Sequence, residues 1–167
     1  VRENYPDTPV WNAAMSKMAS IYDDKEAYTN EVEVLEEYVA KLKDKEYPGQ
    51  EYITAKYRLA DVIRRMGGNN NLGEAYKMFT SLFKTLSDED NLKKYQKTAE
   101  EAQMNSDIKE AALFYQGYCL AMIETDNEEF NKKYRLKAIE LYNQLVDAYP
   151  ESKFGPSCLS QIGTLYT

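Results

Sequence analysis

The sequence predicts an all-α protein, a solenoid of stacked helix hairpins with about seven to eight helices. Two observations predict this class. Only seven Gly and five Pro occur among 167 residues, mostly at apparent helix junctions, whereas helix-favouring residues fill the long segments between them. A segment beginning at Asn4 also recurs without a gap near the other end of the chain, beginning at Ala148. An internal repeat of this kind indicates that one supersecondary unit has been used more than once.

Both copies of the repeat begin with the same turn. Residues 5–8 and residues 149–152 each read Tyr, Pro, an acidic residue and a hydroxyl residue. A reduced form of this turn, without the acidic and hydroxyl residues, is present at residues 47–50. Thr8 followed by Pro9 predicts the N-cap and first residue of a helix, because Thr accepts from free backbone N–H groups and Pro lacks one.

One spacing pattern of small and apolar residues, which we call the register, recurs between the two copies of the repeat and within them. A small residue at position i is followed by a residue that is usually apolar at i+4, a small one at i+5 and an aromatic or aliphatic one at i+8. This spacing places the four side chains on one face of a helix, and the small residue at i+5 lets a neighbouring helix approach closely. Four segments fit, with Gln116 as the polar exception: Ala14-Met18-Ala19-Tyr22, Ala55-Leu59-Ala60-Ile63, Ala112-Gln116-Gly117-Leu120 and Cys158-Ile162-Gly163-Tyr166.

Each of the first three segments is followed by a second amphipathic segment, so the helix hairpin is the predicted repeating unit. Residues 67–71, Gly-Gly-Asn-Asn-Asn, are expected to form the turn inside the second unit, because glycine adopts at low cost the left-handed conformation that ends a helix. The spacing between successive register segments is uneven, and the extra residues 87–105 and 126–135 predict two insertions. The first is expected to be an inserted or extended helix that begins near Ser87. The predicted units of this single domain are residues 8–47, 48–105, 106–149 and an incomplete 150–167.

Composition argues against several function classes. A net charge of −7 and an isoelectric point near 4.8 disfavour a nucleic-acid surface, which needs clustered Lys and Arg. The 15 tyrosines are expected mainly in the thin core and in the turns rather than as a platform for stacking bases. Histidine is absent, and no phosphate loop, nucleophile elbow or metal-ligand cluster is recognisable. We therefore expect no enzymatic activity, no cofactor and no nucleic-acid partner.

The two cysteines, Cys119 and Cys158, fall on predicted helices and do not form a C-x-x-C pair. The simplest interpretation is that both are small buried hydrophobic residues. A disulfide between them stays open as an alternative if the compartment is oxidising.

No apolar run approaches the roughly 18 to 20 residues of a membrane-spanning helix, and the first residues have no signal-peptide pattern, so we expect no membrane insertion of this segment. A repeat turn opens the chain without a preceding helix, and the last unit contains only a first helix. These features predict a piece of a longer array that self-associates or frays at its last helix, because solenoids usually end in a polar capping helix.

The hairpin pattern, with small residues where helices cross and Pro at the exit, resembles the tetratricopeptide repeat. Residues 141–152 resemble the Y-x-x-L-x-x-x-Y-P-x-S signature of the barrel-assembly lipoprotein and Tol-Pal-associated coordinator families of the bacterial outer membrane. The resemblance implies a right-handed superhelix and a non-enzymatic protein-interaction scaffold, periplasmic and tethered at the outer membrane. The alternative is a regulatory or recruiting repeat domain of a larger enzyme or cytoplasmic complex.

The same resemblance implies that the first helices of successive hairpins line a concave surface that binds a protein or peptide. Projecting the register outward selects Tyr57, Asp61, Arg64, Phe114 and Tyr118 as the predicted partner-binding residues. Tyrosine and arginine are common interface anchors. The competing interpretation is that the three aromatic side chains pack between adjacent hairpins. The weaker candidates lie on the first and last units: Ser16, Lys17, Ser20, Asp23, Ser160 and Thr164.

Overall fold

The computed structural model describes residues 8–45 and 48–166, and within these ranges it contains eight α-helices and no strand. The all-α prediction is confirmed. The predicted turns at residues 5–8 and 47–50 lie partly outside the described residues, which leave out residues 5–7 and 47. The helices are α1 (Pro9–Asp24), α2 (Tyr28–Lys43), α3 (Gly49–Met66), α4 (Asn69–Ser87), α5 (Glu89–Leu92), α6 (Ala99–Met122), α7 (Glu128–Ala148) and α8 (Gly155–Leu165).

Two helix boundaries lie where the sequence predicts them. The hydroxyl of Thr8 accepts a hydrogen bond from the Trp11 N–H at 3.1 Å, and Pro9 is the first residue of α1. Gly67 ends α3 with a φ of 69°, but the predicted turn is shorter than expected, because α4 already begins at Asn69. Because that φ is strained for residues with a side chain, glycine suits the position. Local chemistry therefore fixes these ends without help from distant residues.

The helices pack in chain order, which matches an array of hairpins. Contacts join α1 to α2, α2 to α3, α3 to α4, α4 to α6, α6 to α7 and α7 to α8. The first helices of the second and third hairpins, α3 and α6, also contact each other. The right-handed sense of the superhelix stays a prediction.

The register residues of the second and third units are all buried, whereas in the first unit Ala19 is buried and the other three register residues are partly exposed. The small residues Ala19 and Ala60 are fully buried, and Gly117 is buried as well. Gln116, the polar exception, is satisfied inside the core because its amide donates to the Ala112 carbonyl at 3.2 Å and its oxygen accepts from the Thr80 hydroxyl at 3.1 Å. A polar residue at this position is thus compatible with close helix packing.

The first insertion differs from its prediction in detail. Its cap is Asp88, not Ser87, and it forms the short helix α5. A capping box of Thr98 and Glu101 then starts α6 at Ala99, so the predicted unit boundary between residues 105 and 106 falls inside that helix. This box was not predicted, and it starts the first helix of the third unit well before Ala112. The second insertion forms the start of α7.

We expect α8 to be the least protected of the register helices. Leu159 of α8 and the following Tyr166 are 60% and 71% exposed, whereas α3 lies between neighbours on both sides. Amide hydrogen exchange in a monomeric sample should therefore show lower opening free energies for residues 158–165 than for residues 55–63. Equal protection of the two segments would contradict this expectation.

Candidate protein-binding face

The five predicted partner-binding residues lie on two adjacent helices. Tyr57, Asp61 and Arg64 belong to α3, and Phe114 and Tyr118 belong to α6. All five are partly exposed. The contact between α3 and α6 brings them into one group, as the projection of the register predicts.

Arg64 is the centre of this group. Its Nε and Nη2 atoms donate to Oδ1 of Asp61 at 3.0 and 2.7 Å. Its guanidinium carbon lies 4.4 Å from the ring centre of Tyr115 and 5.1 Å from that of Tyr118. An ion pair on the same helix and two aromatic rings on the next helix therefore hold the guanidinium in place. A fixed guanidinium loses little side-chain entropy when it binds a partner.

Tyr115 belongs to the group, although the sequence projection left it out. Its ring lies 5.4 Å from Phe79 and 6.5 Å from Tyr57. It occupies position i+3 of the register, where α3 has Arg58. The register position gave no signal for Tyr115, because Arg58 at the same position of α3 contacts Ser16 and Glu31 instead. We call the six residues Tyr57, Asp61, Arg64, Phe114, Tyr115 and Tyr118 the Arg64 cluster.

Two of the aromatic rings in this cluster pack between hairpins. Tyr57 meets Phe79 within its own hairpin at 6.0 Å and Tyr115 of the next hairpin at 6.5 Å. Phe114 meets Tyr142 within its own hairpin at 5.8 Å and stacks on Phe154, which directly precedes α8, at 4.8 Å. These contacts agree with the competing interpretation for Tyr57 and Phe114, whose rings help to join successive units.

Burial affects the ionisation of two tyrosines in the cluster. It raises the pKa of Tyr57 and the pKa of Tyr115 above the ordinary value for a phenol. A phenol is already protonated at neutral pH, so this burial extends the neutral, hydrogen-bonding form of both hydroxyls to higher pH.

Arg64 and Tyr118 reach a surface groove of about 430 Å³, which we call the Arg64 groove. Arg65 also lines it, forms an ion pair with Asp23 of α1 and lies 4.8 Å from the ring centre of Tyr28. Two arginines and two tyrosines thus border one opening. The rest of its lining consists of Gly67, Gly68, Asn69, Leu72 and Met122.

The weaker candidates lie apart from the Arg64 cluster, except Asp23, which contacts the groove through Arg65. Ser16 lines a second groove of about 340 Å³ between α1 and α3, and its carbonyl accepts from Arg58 at 3.4 Å. The Thr164 hydroxyl donates to the Ser160 carbonyl within α8. The remaining two are Lys17 and Ser20, both on α1.

A third groove, of about 560 Å³, is lined mainly by α4 and α7, the second helices of the second and third hairpins. Tyr76 of α4 and Leu136 of α7 contribute apolar surface, and Lys132 and Lys133 border it. Both lysines are exposed, as the sequence predicts for a solvated helix face. This groove is a competing location for a partner, and the experiment proposed below separates the two.

Both cysteines are buried free thiols, which confirms the simpler interpretation. Burial raises the pKa of Cys119 to about 12 and the pKa of Cys158 to about 11, so neither forms a reactive thiolate at neutral pH. Among residues 8–45 and 48–166, no group of three His, Cys, Asp or Glu side chains is placed to hold a metal ion. In the same residues, no helix has the length and hydropathy needed to cross a bilayer.

Comparison with models of protein families, with curated proteins and with solved structures gives no match to this chain. The tetratricopeptide and envelope-protein resemblance therefore still depends on the motifs quoted above.

Proposed function

We propose that this protein is a non-enzymatic scaffold that binds another protein through the Arg64 cluster and its groove. The observation that carries the proposal is the guanidinium of Arg64, held by Asp61, Tyr115 and Tyr118 beside an open groove. Arginine and tyrosine bury large areas at interfaces, and those at hot spots are commonly surrounded by packed, water-excluding neighbours.

A protein partner fits this face better than a nucleic acid does. Arg64 and Arg65 are the two arginines at the groove, and carboxylates of Asp61 and Asp23 already contact them. The overall charge of −7 would repel a polyanion. A partner helix or extended segment, by contrast, can gain affinity from the ring of Tyr118 and the planar face of Arg64 without a large charge.

We further propose that the partner belongs to the bacterial envelope and that the protein works in the periplasm, near the outer membrane. The support is the Tyr-Pro-x-Ser motif at residues 149–152. Ser152 is buried in that turn, where its N–H donates to the Tyr149 carbonyl at 2.9 Å and its hydroxyl accepts from the Phe154 N–H at 3.3 Å. Fractionation of cells that produce the intact protein tests this location, and recovery in the cytosol would contradict it.

The binding face is tested by substituting Arg64 and Tyr118 together by alanine. A partner is first captured from an envelope extract by the wild-type protein, identified by mass spectrometry and purified. The double variant should bind this purified partner at least about tenfold more weakly, which corresponds to 1.4 kcal/mol. Its helicity should match that of the wild type.

The control is the double substitution of Lys132 and Lys133 by alanine, which alters the groove on α4 and α7. Binding by this variant should equal that of the wild type. The opposite pattern, with binding lost only in the lysine variant, would place the partner on that other groove and refute the assignment to the Arg64 cluster.

A further inference from the structure

The fourth register segment, on α8, differs from the other three in burial. At position i+5, Ala19 and Ala60 are fully buried and Gly117 is buried, but Gly163 is exposed. At position i+1, Met15 and Leu113 are at most 1% exposed and Lys56 is partly exposed, whereas Leu159 is 60% exposed. Position i+5 is thus covered in three segments and open in the fourth.

The covered copies show what fits on this surface. In each complete hairpin, the second helix carries a buried aromatic residue, which is Tyr38 in α2, Phe79 in α4 and Tyr142 in α7. At Gly117 the fit is close, because a Cβ atom there would lie 2.7 Å from Cε1 of Tyr142. The absence of a side chain at position 117 therefore makes room for the aromatic ring of the covering helix.

At Gly163 the corresponding room is empty, since an added Cβ atom would meet nothing within 4 Å. Leu159, Gly163 and Tyr166 are spaced to lie on one side of α8, and we call them the α8 face. Helix α8 contains no Asp, Glu, Lys or Arg, although charged residues make up 29% of the chain. An exposed helix without charge is typical of a surface that becomes covered.

We propose that the α8 face binds one amphipathic helix from outside residues 1–167, which places an aromatic ring on Gly163 as Tyr142 does on Gly117. The interface continues the one between α6 and α7 along the array. The helix carries apolar residues beside the aromatic one, because Leu159 and Tyr166 flank Gly163. This surface is separate from the Arg64 cluster, and its occupant is recognised by shape and apolar contact.

The probe is a helix-stabilised synthetic peptide with the sequence of residues 128–148, which is α7, the helix that covers Gly117 in this chain. Titration calorimetry with the intact 167-residue protein should show saturable binding with one peptide per protein. The substitution Gly163→Leu should weaken this binding at least about tenfold, because the leucine fills the room for the ring. Its folding stability should be unchanged, since the site is open.

Two controls make the result specific. The substitution Gly73→Leu, on α4 where a Cβ atom also meets nothing within 4 Å, should leave peptide affinity unchanged. A peptide with alanine in place of Tyr142 should bind at least about tenfold more weakly than the unaltered peptide.

Three outcomes would overturn the proposal: no binding at millimolar peptide, equal binding by the Gly163→Leu variant, or equal binding by the Ala peptide. A fourth outcome that would overturn it comes from sedimentation analysis of the protein alone. If the protein forms a dimer that Gly163→Leu abolishes, the occupant of the α8 face is a second copy of this chain, and the assignment to a different helix is wrong.

Discussion

Replacing Gly117 by leucine is expected to destabilise the protein by about 3 kcal/mol or more, the upper end of overpacking costs. Position 117 lies on α6 against Tyr142, which is fully buried, and even a Cβ atom would come 2.7 Å from the Tyr142 ring. Because Tyr142 also contacts Phe114, the ring cannot shift without disturbing its neighbours. Urea denaturation followed by circular dichroism measures the loss.

The matched control is Gly73→Leu, in the interior of α4, where the added side chain meets open space. We expect this variant to be unchanged or more stable by up to about 1 kcal/mol, because leucine favours helix more than glycine does. A second test removes the obstacle: in a Tyr142→Ala background, Gly117→Leu should cost much less. Equal stability of Gly117→Leu and the wild type would contradict the close helix crossing.

Replacing Arg58 by alanine is expected to cost about 3 kcal/mol at neutral pH, as for other broken buried ion pairs. Glu31 is 2% exposed, and Arg58 Nη2 lies 3.6 Å from its Oε1. The other oxygen, Oε2, is buried without a hydrogen-bond partner. Without Arg58, a buried carboxylate loses the nearest positive charge that offsets its desolvation.

The cost of this substitution should depend on pH. Burial raises the pKa of Glu31, Asp23 raises it further, and Arg58 lowers it, so removal of Arg58 raises it again. An acid whose pKa is raised by folding destabilises the native state when it is charged, and this penalty disappears as the pH falls through the folded-state pKa. The difference in unfolding free energy between wild type and variant should therefore shrink from pH 8 to pH 5.

Two further variants test whether the buried charge of Glu31 causes the loss of stability in Arg58→Ala. Adding Glu31→Gln to Arg58→Ala should remove most of the pH dependence and recover part of the stability, since no buried charge remains. The exposed ion pair of Arg135 with Glu128, at 2.7 Å, is the control, and Arg135→Ala should cost less than about 1 kcal/mol. A pH-independent loss in Arg58→Ala would show that packing, and not the charge of Glu31, is responsible.

Much of the fold could be predicted from the sequence because its signals are local. The cap at Thr8 and the glycine end of α3 depend on neighbouring residues only. The start of α6 is also encoded locally, by Thr98 and Glu101, but the register marks only the part of this helix that begins at Ala112. The predicted unit boundary failed there because a helix can extend beyond the part of it that packs in a repeat.

The candidate face was predictable in position but not in detail. The register placed Arg64 and Tyr118 on neighbouring first helices, and the structure brings them to one groove. It could not show that Tyr115 completes the group, because that contact joins residues far apart in sequence. Nor could it distinguish Tyr57, packed against Phe79, from a ring that is free to bind a partner.

The sequence by itself determined the helical class, several helix ends and the face that each helix turns toward its neighbours. These follow from a spacing of 3.6 residues per turn and from capping chemistry, both of which act within a few residues. Only the tertiary structure decided how deeply each of those faces is buried. Gly117 and Gly163 occupy the same register position, yet a covering helix lies on the first and none of the described residues covers the second. Burial is a property of the neighbour as much as of the residue, so it cannot be read from one helix alone.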